Sequence, residues 1–310
     1  MEPILKVNSI EQVHEILNLG KPEHPLITVI NVFDLEIPQE MVGVKVVTNM
    51  YCIALKDEHC GLRYGRNSYD FENGTLLFTA PHQAFSATKS LTKNEEEGWM
   101  LFFHPDFLKK SFLAKKISQY NFFEYQANEA LHLSKSERDS LNHIILNIRE
   151  EYIQKIDCQS QNIIILNLEL LLNYSLRFYE RQFTRRSIDN QDIVAKFEII
   201  LNTFLDENSL SKNGIPTIYY FAEKINLSSN YLSDLVRKVT GISIKDHINN
   251  LVLRKAEEML LGSNNSVSEI AYSLGFNYPH YFTRFFKLKI GITPSNYRKI
   301  NNYTPVVHLI

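Results

Sequence analysis

Residues 267–298, VSEIAYSLGFNYPHYFTRFFKLKIGITPSNYR, restrict the possible folds of this chain more than any other stretch. Ile270, Ala271 and Leu274 recur at helical spacing, and Gly275 ends that first helix. A second helix follows, with Tyr281, Phe282, Phe285 and Phe286 predicted on its buried side and Thr283, Arg284, Lys287 and Lys289 facing outward. Two helices joined through glycine, the second cationic and rich in hydrogen-bonding side chains, suit the major groove of duplex DNA. The helix fits the groove, and its side chains meet the base edges.

The same arrangement occurs earlier, at residues 217–240, TIYYFAEKINLSSNYLSDLVRKVT. A first helix leads to a turn at residues 226–228, and a second helix starts near Ser229 and closes at Gly241. Ala222 lies where the two helices cross, and Leu227, Leu232 and Leu235 fill the angle between them. Asn230, Ser233, Asp234, Arg237 and Lys238 are left facing outward. Asn reads adenine, Asp accepts from cytosine, and the cations suit phosphates. Between the two units, residues 244–261 predict a helix of roughly 27 Å at 1.5 Å per residue. With its flanking turns, such a strut could hold two recognition helices in successive major-groove segments, about 34 Å apart.

Charge is divided unevenly along the chain. Residues 208–300 hold 12 Lys/Arg against 6 Asp/Glu, whereas the remainder holds 21 against 29. A basic module joined to an acidic one fits a nucleic-acid binder coupled to a sensing or oligomerising part. With 310 residues and 44% hydrophobic content, two cores are expected rather than one. The boundary falls at residues 184–191, a polar, basic stretch without periodicity, which divides residues 1–183 from residues 192–300. The second part opens with a helix over residues 193–205, whose Val194, Phe197, Ile200, Leu201 and Phe204 are apolar.

The first part is β-rich after a short amphipathic helix within residues 3–20. The runs LITVINVF, VKVVTNMYCIAL, TLLFTA and WMLFFH, separated by turn signals, predict an antiparallel barrel or sandwich. A barrel could enclose a small ligand, but no residue pattern identifies it. His24, His59, His82 and His104 are scattered and lack the paired spacing of a metal site, so neither a metal nor a cofactor is expected. Arg63, Tyr64, Arg66 and Tyr69 could grip an acidic or sugar-like effector, or form an ordinary exposed loop. Cys52, Cys60 and Cys158, odd in number and without CxxC spacing, are expected to be reduced core thiols. The N-terminus lacks the pattern of a signal peptide and no apolar run is long enough to span a membrane, so a cytoplasmic location is expected.

Helices follow from Pro105 onward. SKSE at residues 134–137 is a capping box. Residues 162–183 form the most apolar helix, with Ile164, Leu168, Leu171, Leu172, Ser175 and Phe178 in a heptad-like stripe. Ile163, Ile165, Leu166, Leu170 and Leu176 extend the apolar surface beyond that stripe, so the helix needs cover on two sides. Its own domain supplies one side, and the twin helix of a homodimer would supply the other.

Taken together, LSSNYLSDLVRKVTGIS and the IA, GF, YF, FFK, G, TP and YR pattern of residues 267–298 resemble the AraC/XylS transcription regulators. GTLLFTAPHQAF and GWMLFFHPDFL are more loosely similar to the cupin-like sensing domain of many of them. The resemblance implies an α+β chain: an N-terminal cupin-like β-barrel with helices, and a C-terminal all-α domain of two helix-turn-helix units joined by a long helix. It also implies a regulator that binds double-stranded DNA, answers to a small-molecule effector and works with RNA polymerase. It places Asn230, Ser233 and Asp234 of the first unit, and Pro279, His280, Thr283 and Arg284 of the second, at base-contacting positions. Pro279 lacks an N–H, so its expected part is to shape the helix start. Val252 stands where the strut of the family usually has Arg, and Val236 where the first recognition helix usually has Phe, which predicts looser packing there. The competing expectation is a metal-dependent cupin enzyme whose C-terminal helices serve assembly.

Overall fold

The computed structural model describes residues 4–56, 74–86, 90, 97–154, 157–185, 187–206 and 209–302. The chain divides into two compact units, Met1–Arg185 and Arg186–Ile310. His59, Cys60 and the Arg63, Tyr64, Arg66, Tyr69 cluster lie outside the described residues.

The N-terminal unit begins with β1 (Ile4–Val7) and α1 (Ile10–Ile16), the short amphipathic helix expected within residues 3–20. The Ser9 hydroxyl caps α1 by accepting from the Gln12 N–H. Strands β2 (Ile27–Asn31), β3 (Lys45–Thr48), β4 (Tyr51–Lys56), β5 (Thr75–Thr79), β6 (Ala84–Phe85) and β7 (Gly98–Phe103) follow. The run VKVVTNMYCIAL is two strands, broken at residues 49–50, where the Thr48 hydroxyl accepts from the Met50 N–H and turns the chain. After several 3-10 turns and α2 (Leu113–Lys116) come β8 (Leu131–His132), α3 (Lys135–Ile153) and α4 (Ser160–Arg185).

The described strands do not close into the expected barrel. They form two sheets, one of three strands in the order β1-β3-β6 and one of five in the order β2-β7-β4-β5-β8. The break between β3 and β4 sends consecutive strands into different sheets. Helix side chains occupy both edges of the larger sheet. Along β2 the Tyr152 hydroxyl of α3 accepts from the Val29 N–H at 2.9 Å. Along β8 the Gln182 amide of α4 accepts from the His132 N–H at 2.8 Å and donates to the Ala130 carbonyl at 3.1 Å. These bonds satisfy backbone groups at the sheet edges that no described strand pairs.

Alternation along β4 sorts the core of this unit. Ile53 and Leu55 share a face with Leu101, Trp99, Leu76 and Phe78, and the Trp99 indole N–H is satisfied by Asn142 of α3 at 2.9 Å. Cys52 and Ala54 point the other way and pack with Val7, Ile10, Ile30, Met50 and Phe102. Burial pushes the Cys52 thiol up to about 12. Cys158, expected in the core, is exposed, and Cys52 is buried. Beside Cys52 and Ala54 opens a cavity of about 500 Å³, lined also by Lys56, Leu77, Phe122 and Tyr179.

The C-terminal unit is all helix: α5 (Ser187–Asp206), α6 (Ser209–Asn213), α7 (Ile218–Ile225), α8 (Ser229–Thr240), α9 (Ile244–Gly262), α10 (Val267–Ser273), α11 (Pro279–Ile290) and α12 (Pro294–Asn302). Helix α4 runs to Arg185 and α5 starts at Ser187, so helix covers most of the stretch read as a linker. One apolar core joins Phe197 and Leu201 of α5, Phe221 and Leu232 of α7 and α8, Val252 and Ala256 of α9, and Ile270, Phe282 and Phe286 of α10 and α11. Val236 and Val252, where looser packing was expected, are 0% and 1% exposed within this core.

Candidate nucleic-acid interface

Each helix pair closes in the same way. In the first unit Asn226 takes the left-handed conformation, φ +62°, and the Leu227 N–H donates to the Ala222 carbonyl at 2.9 Å. In the second Gly275 takes it, φ +81°, and the Phe276 N–H donates to the Ala271 carbonyl at 3.0 Å. This is the Schellman closure, which turns the chain sharply and leaves the next helix crossing the first. Ala222 and Ala271, both buried, are small enough to permit the crossing. Gly275 faces a second restriction: a Cβ on it would lie 2.6 Å from the Leu210 carbonyl oxygen.

The second helices also end alike. Gly241 and Gly291 are both left-handed, and their N–H groups donate to the carbonyls of Arg237 at 2.9 Å and Lys287 at 2.8 Å. Their starts differ. The Ser228 hydroxyl caps α8 by accepting from the Tyr231 N–H, whereas α11 begins at Tyr278, which makes no side-chain cap, followed by Pro279. Helix α10 has a full capping box between Ser266 and Glu269. The SVSE pattern carried that signal, which the sequence reading passed over.

Helix α9 ties the two units together. Asp246, in its first turn, accepts a 2.7 Å hydrogen bond from the Ser243 hydroxyl and lies 3.5 Å from Lys289 of α11. The hydroxyl first, and the ammonium after it, hold the Asp246 carboxyl below its usual range. At the other end the Tyr297 hydroxyl donates to Glu257 at 3.1 Å, and the Arg298 guanidinium donates to the Leu260 carbonyl at 2.8 Å, where the helix dipole favours a cation.

The residues expected to meet DNA are placed as follows. Arg237 and Lys238 are exposed in the last turn of α8, while Asn230, Ser233 and Asp234 are half-buried on the same helix. On α11, His280, Arg284 and Lys287 are exposed, and Pro279 and Thr283 are half-buried. The Thr283 hydroxyl donates to the Pro279 carbonyl at 3.1 Å, which leaves its oxygen as an acceptor. Phe282 and Phe286 are buried as expected and Phe285 is half-buried. Tyr281, expected on the buried side, is 54% exposed. The sequence reading missed an aromatic cluster at this helix start, where Tyr278, His280 and Tyr281 pack on one another with ring centroids 4.2–5.9 Å apart.

Among the described residues no three His, Cys, Asp or Glu side chains gather into a metal site. His104 is used structurally: Nδ1 accepts from the Asp106 N–H at 3.1 Å, and Nε2 lies 3.1 Å from the Asn49 amide. His24 accepts from the Leu26 N–H at 3.1 Å and packs edge-on against Phe107, and burial lowers its pKa. No described helix is long and apolar enough to cross a membrane.

Residues 221–300 match a family described as a helix-turn-helix domain. The Msm operon regulatory protein of Streptococcus mutans is 37% identical over 78 residues, which is 25% of this chain and 28% of that protein. The HTH-type transcriptional activator RhaR of Yersinia pseudotuberculosis is 34% identical over 87 residues, 28% of this chain and 30% of that protein. These matches therefore span less than a third of the curated relatives. Among solved structures, the C-terminal domain of the two-component response regulator yesN from Fusobacterium nucleatum is 33% identical. That similarity covers 33% of this chain and 96% of that one, with a TM-score of 0.30.

Proposed function

We propose that this chain is a sequence-specific DNA-binding regulator of transcription of the AraC type rather than an enzyme, on the strength of the helix-turn-helix match over residues 221–300 and the similarity of that stretch to regulatory proteins. The observation that carries this reading is the pair of equivalently closed helix-turn-helix units on one core, each with exposed cations on its second helix. In this reading Arg237, Lys238 and Lys287 meet phosphates, while Asn230, Ser233, Asp234, His280, Thr283 and Arg284 meet bases and Pro279 sets the start of α11.

The N-terminal unit, residues 1–183, serves as the sensing and dimerising part, with residues 184–191 as the connection to the DNA-binding part, residues 192–300. Its two sheets act as an opened version of a cupin-like barrel. The cavity of about 500 Å³ supports control by a small molecule, being the size of many ligand pockets and mainly apolar with the Lys56 side chain on its wall. Helix α4 supports a homodimer. Ile164, Leu168, Leu171, Leu172 and Phe178 are buried, yet Ile163, Leu166, Leu170 and Leu176 remain exposed, with Leu166 and Leu170 on the side of the helix away from that stripe. RNA polymerase is the further partner and the cytoplasm the location that this role requires.

Titration of the full-length protein against its own upstream DNA by fluorescence anisotropy tests the reading. Arg284→Ala and Asn230→Ala should each weaken specific binding by roughly ten- to a hundredfold, as expected for loss of a good base contact. Unchanged specific affinity in both variants would overturn the contact assignment. Equal binding to every DNA sequence would overturn the regulator itself.

A further inference from the structure

Helix α11 starts unlike the four helices before it. Its N-cap is Tyr278, an extended residue (φ −139°, ψ 132°) with no cap hydrogen bond, whereas the hydroxyls of Thr217, Ser228, Ser243 and Ser266 cap α7, α8, α9 and α10. The first turn also leaves large aromatic surface in water, with Tyr278 57% and Tyr281 54% exposed and the His280 ring between them exposed as well.

The three rings form one body. Tyr278 stacks on His280 with centroids 5.6 Å apart, His280 lies 4.2 Å from Tyr281, and the two tyrosines meet edge to face at 5.9 Å. Such a cluster loses little side-chain freedom on binding, since its rings already hold one another. Exposed Arg284 lies one turn further along α11, and Lys287 follows it, so the apolar body is followed directly by cations. A polyanion that also offers a small apolar group complements that sequence of surfaces. In the major groove the C5-methyl of thymine is such a group, and apolar side chains discriminate thymine through it.

We propose that Tyr278, His280 and Tyr281 form an aromatic wedge that reads thymine methyl groups in the half of the operator bound by the second helix-turn-helix unit. The proposal rests on the DNA-binding reading and adds to it a recognition element and the base that it selects. The tyrosine ring faces carry the selectivity, and the cations beside them supply affinity that does not depend on the methyl.

The experiment uses the full-length protein and a duplex selected by it from a random pool. Anisotropy titrations at fixed salt compare this duplex with copies in which each thymine in turn is replaced by deoxyuridine, which removes the C5-methyl and nothing else. At one or two positions wild-type affinity should fall roughly fourfold per methyl, the effect of withdrawing one buried methyl-sized group. Tyr281→Ala should bind the thymine and deoxyuridine duplexes equally at those positions, while Tyr281→Phe, which keeps the ring, should retain the discrimination. Retained discrimination in both Tyr281→Ala and Tyr278→Ala, or no position sensitive to the methyl in the wild type, overturns the wedge and leaves DNA binding intact. If the pool yields no preferred duplex, the regulator reading falls and the wedge with it.

Discussion

Gly275 shows how much one residue can be asked to do. Its φ of +81° favours glycine, and the backbone of Leu210 and Gly214 lies against the place where a side chain would begin. Gly275→Ala should therefore destabilise the C-terminal unit by at least about 1–3 kcal/mol, the cost of a strained backbone. A urea midpoint equal to that of the wild type would refute this. Asn226, the matching residue of the first unit, shows that the left-handed turn alone does not require glycine; the close approach does. The turn at Gly275 was legible from its place after a helical pattern, but the approach of α6 was not, because Leu210 and Gly214 are far from it in the chain. Val252 and Val236 differ from the family pattern, and both are buried among neighbours that no pattern names.

At the scale of the element, α4 carries more apolar surface than its own unit buries. Leu166 and Leu170 are 57% and 45% exposed, one helical turn apart. If this face joins two copies, Leu166→Glu combined with Leu170→Glu should convert the dimer to a monomer, as read by light scattering during gel filtration. A dimer that persists would place the interface elsewhere. The apolar excess was visible in the sequence, because helical periodicity assigns residues to faces. The covering of sheet edges by Tyr152 and Gln182 was not visible, since side-chain hydrogen bonds to a strand leave no periodic trace. Helix α11 falls between these cases: its phenylalanines followed the expected face, but Tyr281 lies near the boundary of that face, where a small rotation decides between core and solvent.

At the scale of the whole C-terminal unit, α9 holds the two helix-turn-helix units, and Asp246 bonds Ser243 while facing Lys289 across them. Its carboxyl titrates below the usual range in the folded protein. A depressed carboxylate contributes stability above its unfolded pKa of about 3.9, and that contribution is lost as pH falls through the lower folded value. Stability of the unit should therefore fall below about pH 4, and Asp246→Asn should reduce the size of that fall, measured by urea midpoints across the acid range. An equal fall in both proteins would assign the acid sensitivity to other groups. The sequence by itself determined the two helix pairs, their closing turns, the basic balance around them and the β-rich start, because local periodicity, capping residues and charge are written along the chain. Tertiary structure decided the rest: that the described strands make two sheets and no closed barrel, that both valines are core, and that three aromatic rings stand in water at the head of α11. Those outcomes depend on which distant residues meet, and residues 267–298, in fixing a helix pair, fixed only which surfaces could be offered to such meetings.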